Sequence, residues 1–152
     1  MEDERPEILI VDDDEGHTEL VLRNLRRAGV GNDVRCMTSG QEALDYVLCR
    51  GAHRIRERGG PYLILLDMKM PGRIDGVDVL RSIKSDPDKK RIPVIMLTTT
   101  DDPREVQRCF ELGCNAYVTK PVDPRRFVEA IQRLGSFISV CYAPGGSSSR
   151  EQ

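Results

Sequence analysis

Five side chains of this sequence have the types and positions to do chemistry together. They are Asp12 and Asp13 in "ILIVDDDE", Asp67 in "YLILLDMKMPGRIDG", Thr98 in "IPVIMLTTT" and Lys120 in "AYVTKPVD". Each follows a short apolar run, so each is expected at the carboxyl end of a strand. Carboxylates gathered in a half-buried place repel, and at least one is pushed toward protonation. A divalent cation removes the conflict. A donor set made of oxygens, few of them from side chains, suits Mg²⁺, which keeps waters and completes its shell with phosphate oxygens. A hydroxyl and an ammonium beside it offer hydrogen-bond donors and positive charge to the equatorial oxygens of a transferring phosphoryl group. Asp12 and Asp13 are adjacent and read as the metal pair. Asp67 stands alone and is free to act as a carboxylate nucleophile.

The elements that must position these groups follow from the apolar pattern. Strands are expected at Glu7 to Val11, Asn32 to Met37, Tyr62 to Asp67, Ile92 to Thr98 and Ala116 to Thr119. Helices are expected from Glu15 to Ala28, with Val21, Leu25 and Ala28 inward, and from Gln41 to Cys49. A third runs from Gly76 to about Ser85, with Val77, Leu80 and Ile83 on one side. Asp102-Pro103 and Asp123-Pro124 each pair an N-cap acid with proline at the first helical position. The helix begun by the first carries Val106, Cys109 and Phe110 inward and stops at Gly113; the second begins a stripe of Phe127, Ile131, Leu134 and Ile138. Strands alternating with helices imply an α/β fold whose parallel sheet is covered on both faces. In such a sheet ligands bind beyond the carboxyl ends of the strands, which is where all five residues fall.

Size and composition exclude several classes. The chain has 152 residues and a net charge of about −2, without the basic excess expected of a nucleic-acid or anionic-membrane binder. The opening "MEDERPE" is unlike a secretory signal, and no apolar run approaches the ~18 residues of a membrane span. Five cysteines without a Cys-x-x-Cys pair are expected to be reduced thiols in a cytoplasmic protein. Residues 7–140 are expected to form one domain, and 141–152, with "APGGSSSREQ", a flexible tail.

The blocks "ILIVDDDE", "LILLDMKMPGRIDG", "IPVIMLTTT" and "AYVTKPVD" stand in the order and at the distances of a receiver domain of two-component response regulators, which this sequence resembles from Ile8 to about Ile138. The resemblance implies a flavodoxin-like (βα)₅ doubly wound sheet of strand order 2-1-3-4-5. It implies phosphoryl acceptance on Asp67 from a sensor histidine kinase. It further implies Mg²⁺ held by Asp12, Asp13, Asp67 and the backbone carbonyl of Lys69, with Thr98 and Lys120 on the phosphoryl group and Tyr117 as the aromatic switch residue. The Lys120-Pro121 bond resembles the family's cis peptide. The family catalyses only its own phosphorylation and dephosphorylation. Within it, the segments "CRGAHRIRERGGPYLILLD", "IKSDPDKKRIPVIMLTTTDD" and "LGSFISV" are similar to small stand-alone regulators partnered with phytochrome-type histidine kinases. The turn "GRIDG" is one residue longer than the family's common form, and Lys69 occupies a position that in the family tunes how long the phosphoryl group survives.

Other residues receive plainer readings. Asp14 reads as a turn or helix N-cap. His17, one turn into the first helix and near the acids, reads as a lone exposed histidine in preference to a metal or phosphocarrier role. His53 with Arg50, Arg54, Arg56 and Arg58 reads as solvated charge at the end opposite the site. Cys109 and Cys114 fit neither zinc nor redox spacing and read as core or near-surface thiols. Phe127, Val128, Ile131, Leu134, Phe137, Ile138 and Val140 widen the last helix's apolar stripe, consistent with a homodimer on the face of the fourth helix, fifth strand and fifth helix. Two other functions compete with that of a receiver. Asp12-x-Asp14 resembles the motif of haloacid-dehalogenase phosphatases, in which Asp12 would be the nucleophile and Asp67 would have no task. A phosphorylation-independent interaction module would have no use for the acids, hydroxyl and lysine.

Overall fold

The apolar runs form strands because consecutive residues point to opposite faces, and both faces are covered. The computed structural model describes residues 7–27, 29–48, 61–100, 102–120, 123–130 and 133. In chain order these give β1 (Glu7–Val11), α1 (Glu15–Arg27), β2 (Val34–Met37), α2 (Gly40–Val47), β3 (Pro61–Asp67), α3 (Gly76–Lys84), β4 (Val94–Thr98), α4 (Pro103–Glu111) and β5 (Ala116–Thr119). Residues 124–130 then form the described part of a last helix, α5. The five strands make one sheet of order β2-β1-β3-β4-β5, and every pairing is parallel. This is the doubly wound architecture expected from the alternating pattern.

Period-two alternation divides the core into two layers. Leu9, Val11, Ile64, Leu66, Val94 and Met96 face one side, where Ala43 and Val47 of α2 and Val79, Leu80 and Ile83 of α3 cover them. Ile8, Ile10, Leu63, Leu65, Ile95 and Leu97 face the other, against Val21 and Leu25 of α1 and Phe127 and Ala130 of α5. Burial of each such side chain contributes about 1.5–3 kcal/mol. The sheet is therefore a rigid base, and its carboxyl edge is a fixed rim.

Caps set where helices leave that rim. Ser39 accepts from the Glu42 amide to start α2, and Asp102 accepts from Arg104 N to start α4. Asp75 and Asp78 form a reciprocal capping box at the start of α3. The long "GRIDG" turn is absorbed by Gly72, whose φ of 104° is a conformation glycine adopts without strain.

Three expectations need correction. Phe110 is 48% exposed rather than inward. It lies one residue beyond buried Cys109, about a hundred degrees round the helix, so both cannot face the sheet. β2 starts at Val34, two residues later than expected, and β4 at Val94 rather than Ile92. Pro93 stands before β4 and has no N–H to donate; its carbonyl instead accepts from Ile64 N. Among the described residues no helix is long and apolar enough to cross a membrane. The readings of Ala28, the Arg50–Arg58 loop, the Lys120-Pro121 bond, Ile131, Leu134, Phe137, Ile138, Val140 and the tail lie outside the described residues.

Candidate functional site

The rim is built by backbone hydrogen bonds that carry each strand end to its neighbour. Asp12 N donates to Met37 O at 3.0 Å, Met68 N to Leu97 O at 2.9 Å, and Lys120 N to Thr98 O at 2.6 Å. Asp12, Asp67, Thr98 and Lys120 are thereby delivered to one mouth. Gly76 N donates to Met68 O at 2.9 Å, closing the β3–α3 loop behind Asp67. The approach is so close that a Cβ on Gly76 would lie 2.0 Å from the Asp67 carbonyl oxygen. Glycine is required there for space.

The carboxylates converge. Asp12, Asp13 and Asp67 each offer one oxygen, and these oxygens lie within 4.8 Å of one another. Asp12 and Asp67 are buried, and Asp13 is exposed at the opening. Lys120 Nζ sits 3.1 Å from Asp67 Oδ1 and 3.2 Å from Asp12 Oδ2. Asp12 is also held by the Asp14 amide, which donates to its Oδ1 at 2.9 Å.

The electrostatics separate the two buried acids. Burial alone would raise Asp12, but the His17 hydrogen bond, the Asp14 amide and the Lys120 charge outweigh it and hold Asp12 below the ordinary 3.8. Asp67 goes the other way: burial first, and the Asp12 charge next, push it above 3.8 despite Lys120. Burial disfavours the Lys120 ammonium, yet the Asp67 and Asp12 charges prevail and raise it above 10.5. The ionised form of Asp67 is thus the one that the protein's own groups compensate least among the two buried acids. A hard cation with oxygen preference fits this donor set.

Thr98 is buried, and its hydroxyl donates to Met68 Sδ at 3.4 Å while accepting from Thr100 N at 3.1 Å. It lies on the rim but is bonded to sulfur rather than to Asp67. Tyr117 OH donates to Thr100 O at 2.8 Å, which holds the ring beside the β4–α4 loop, and burial raises its phenol. Lys69 is exposed, one residue past the tethered Met68. Asp14 is the cap expected of it, with its Oδ1 accepting from His17 N at 3.2 Å.

His17 is the residue whose reading is overturned. It is not exposed: its side chain is 9% accessible, and Nδ1 lies 2.6 Å from Asp12 Oδ2. The Asp14 cap turns the first residues of α1 back over the end of β1, which brings position 17 to position 12. Asn24, on the same helix, is also buried and was not anticipated. Cys109 and Cys114 are core rather than near-surface thiols, and burial pushes the Cys114 thiol up to about 12.

A parallel sheet of this order, with three acids and a lysine at its carboxyl rim, is the architecture expected of a receiver domain. The chain belongs to the response regulator receiver domain family, whose model matches residues 8–132. The response regulator Rcp1 of Synechocystis sp. is 34% identical over 130 residues, covering 86% of each chain. The Mn(2+)-bound crystal form of Rcp1 superposes with a TM-score of 0.72 at 33% identity, over 87% of this chain and 93% of that one. The bacteriophytochrome response regulator RtBRR gives 0.77 at 43% identity, over 86% and 78% of the two chains. The phosphorylated cyanobacterial phytochrome response regulator RcpA gives 0.74 at 30%, over 91% and 97%. Phytochrome-associated regulators are thus among its relatives.

Proposed function

We propose that this receiver, the domain expected over residues 7–140, accepts a phosphoryl group on Asp67 from the phosphohistidine of a sensor histidine kinase of the phytochrome type. The observation that carries this reading is Lys120 Nζ at 3.1 Å from the buried Asp67, with the Asp12 and Asp13 oxygens beside it. Mg²⁺ held by Asp12, Asp13, Asp67 and the Lys69 backbone carbonyl would, when bound, neutralise the carboxylates and the incoming phosphoryl oxygens. In the transfer, an Asp67 oxygen bonds to phosphorus as the P–N bond of the donor breaks, and the leaving imidazole keeps the electron pair and takes a proton. Lys120 then pairs with a phosphoryl oxygen. Thr98 gives up only the weak thioether acceptor of Met68 to donate to another. Tyr117 moves into the space that Thr98 vacates. The donor's chemistry needs no further catalytic group on this chain.

Asp67 rather than Asp12 is favoured as nucleophile because both Asp12 oxygens already accept hydrogen bonds, from Asp14, His17 and Lys120. This weighs against the phosphatase alternative. The test is labelling of the intact chain with acetyl phosphate and Mg²⁺. Wild type gains one acid-stable, base-labile phosphate and Asp67→Asn gains none; equal labelling of Asp67→Asn would refute the assignment. Transfer from a phytochrome-type kinase, compared with kinases of other input classes, tests the partner.

The message is proposed to leave through the α4–β5–α5 face. There Phe110 is 48% exposed, and a cleft runs between Phe110, Tyr117, Arg126 and Ala130. Tyr117 links this face to the rim. Light scattering of the phosphorylated chain checks whether a second copy docks there. An unchanged mass in Phe110→Ala and wild type alike, with wild type dimeric, would move the dimer elsewhere. Lys69 is proposed to set phosphoryl lifetime, so Lys69→Ala should alter the autodephosphorylation rate without altering Mg²⁺ affinity.

A further inference from the structure

We propose that His17 is a positioning residue of the cation site, its Nδ1–H fixing which face of the Asp12 carboxylate is left open to the metal. The inference rests on the reading of Asp12 as a metal ligand given above. A carboxylate offers about four lone-pair directions. On Asp12, Oδ1 accepts from Asp14 N at 2.9 Å, and Oδ2 accepts from His17 at 2.6 Å and from Lys120 at 3.2 Å. The direction left over is on Oδ1. An ionised carboxylate only accepts, so Nδ1 must carry the proton in this contact.

The rest of the ring shows that its place is not explained by packing. Nε2 is buried and has no hydrogen-bond partner among the described residues. An apolar side chain of similar size would fill the same space without leaving a buried nitrogen unmatched. What the imidazole supplies that such a side chain cannot is the donor to Asp12. Its own backbone is fixed by the Asp14 cap at 3.2 Å, so the donor is held in place before any ligand arrives. The arrangement also outlasts the reaction. When Lys120 turns to the phosphoryl group it leaves Asp12 Oδ2, and His17 remains as the donor that keeps the carboxylate from rotating. Partners of this kind, which orient a metal ligand without touching the metal, typically govern metal affinity.

The experiment is Mg²⁺ titration of the intact chain by calorimetry, repeated with Mn²⁺ by electron paramagnetic resonance, for wild type, His17→Leu and His17→Asn. Leucine keeps the bulk and removes the donor; the asparagine amide places an N–H where Nδ1–H stands. His17→Leu should bind about tenfold more weakly, with a metal-free melting temperature no lower than that of His17→Asn. His17→Asn should recover affinity to within about twofold of wild type. Should His17→Leu not fold, His17→Gln replaces it, since its amide reaches the Nε2 position instead and should also bind weakly. The proposal fails if the leucine or glutamine variant binds like wild type, or if asparagine binds as poorly as they do. If wild type itself binds no divalent cation, the reading of the acid cluster falls as well, and that result is distinct from the other two.

Discussion

Two lysines bracket β4 and β5, Lys84 where these strands begin and Lys120 where they end, and they make opposite use of burial. Lys84 Nζ donates to Lys90 O at 3.0 Å, Ile92 O at 2.7 Å and Asn115 Oδ1 at 3.3 Å. All these acceptors are neutral. They satisfy the ammonium's hydrogens but not its charge, so burial pushes its pKa below 10.5. Lys120 meets two carboxylates, which more than offset its burial and raise it above 10.5. A lysine among carbonyls is a clip: it ties the end of α3 to the chain entering β4 and, through Asn115, to β5. A lysine among carboxylates belongs to a site, because the charges there remain unequal and can be rearranged by a ligand. A half-buried charge alone does not mark function; the charge of its partners does.

The comparison breaks if the two lysines respond alike. Lys120→Met should lower the rate of Asp67 phosphorylation by acetyl phosphate about 100-fold or more, the usual effect of losing a positioned charge at a transferring group. Lys84→Met should leave that rate unchanged at a temperature where it is folded. A comparable loss in both would mean that the clip is part of the site. Lys120→Met should also bind Mg²⁺ more tightly, because the carboxylates lose their internal counter-charge. Next in size is Gly76→Ala. Its Cβ would lie 2.0 Å from Asp67 O and 2.8 Å from Met68 Cα, so the backbone carrying the acceptor must shift. A stability loss of about 3 kcal/mol, read by urea unfolding, should accompany lost phosphorylation. Wild-type labelling of this variant would show that the rim tolerates more movement than its packing allows.

The rim was legible in the sequence because strand ends are. Apolar runs stop where the sheet stops, and Asp12, Asp67, Thr98 and Lys120 stand directly after those runs. The two-layer core was legible for the same reason, since residues buried on both faces leave no polar alternation. What escaped notice depends on how elements lean on one another. The sequence places His17 near the acids, but a lone histidine early in a helix is more often solvated, and nothing in the spacing shows the Asp14 cap and the 2.6 Å contact with Asp12. Phe110 was placed inward because α4 is short, and a stripe read from so few turns cannot distinguish Cys109 from its neighbour. Lys84 gave no sign at all: its acceptors are backbone carbonyls and Asn115, and no spacing rule brings Asn115 to α3.

The clip itself predicts a purely structural loss. Lys84→Met leaves the carbonyls of Lys90 and Ile92 short of a donor and should cost about 1–2 kcal/mol in urea unfolding. The smallest effect sharpens the comparison most, because its sign differs between the lysines. Lys84 is depressed in the folded state, so between its folded pKa and 10.5 the unfolded chain binds more protons, and wild type gains stability relative to Lys84→Met as pH rises through that window. Lys120 is elevated, so its contribution is complete below 10.5 and is lost as pH climbs through the folded pKa above it. Differences from each methionine variant cancel the titration of groups that do not interact with that lysine; Cys114, whose charge acts on Lys84, is replaced by alanine in both members of that pair. Measured by urea unfolding across this alkaline range, the two difference curves should therefore slope in opposite directions on either side of 10.5. Curves of the same sign would mean that neutral carbonyls and carboxylates hold a buried ammonium equally well, and the distinction between clip and site would have no electrostatic basis.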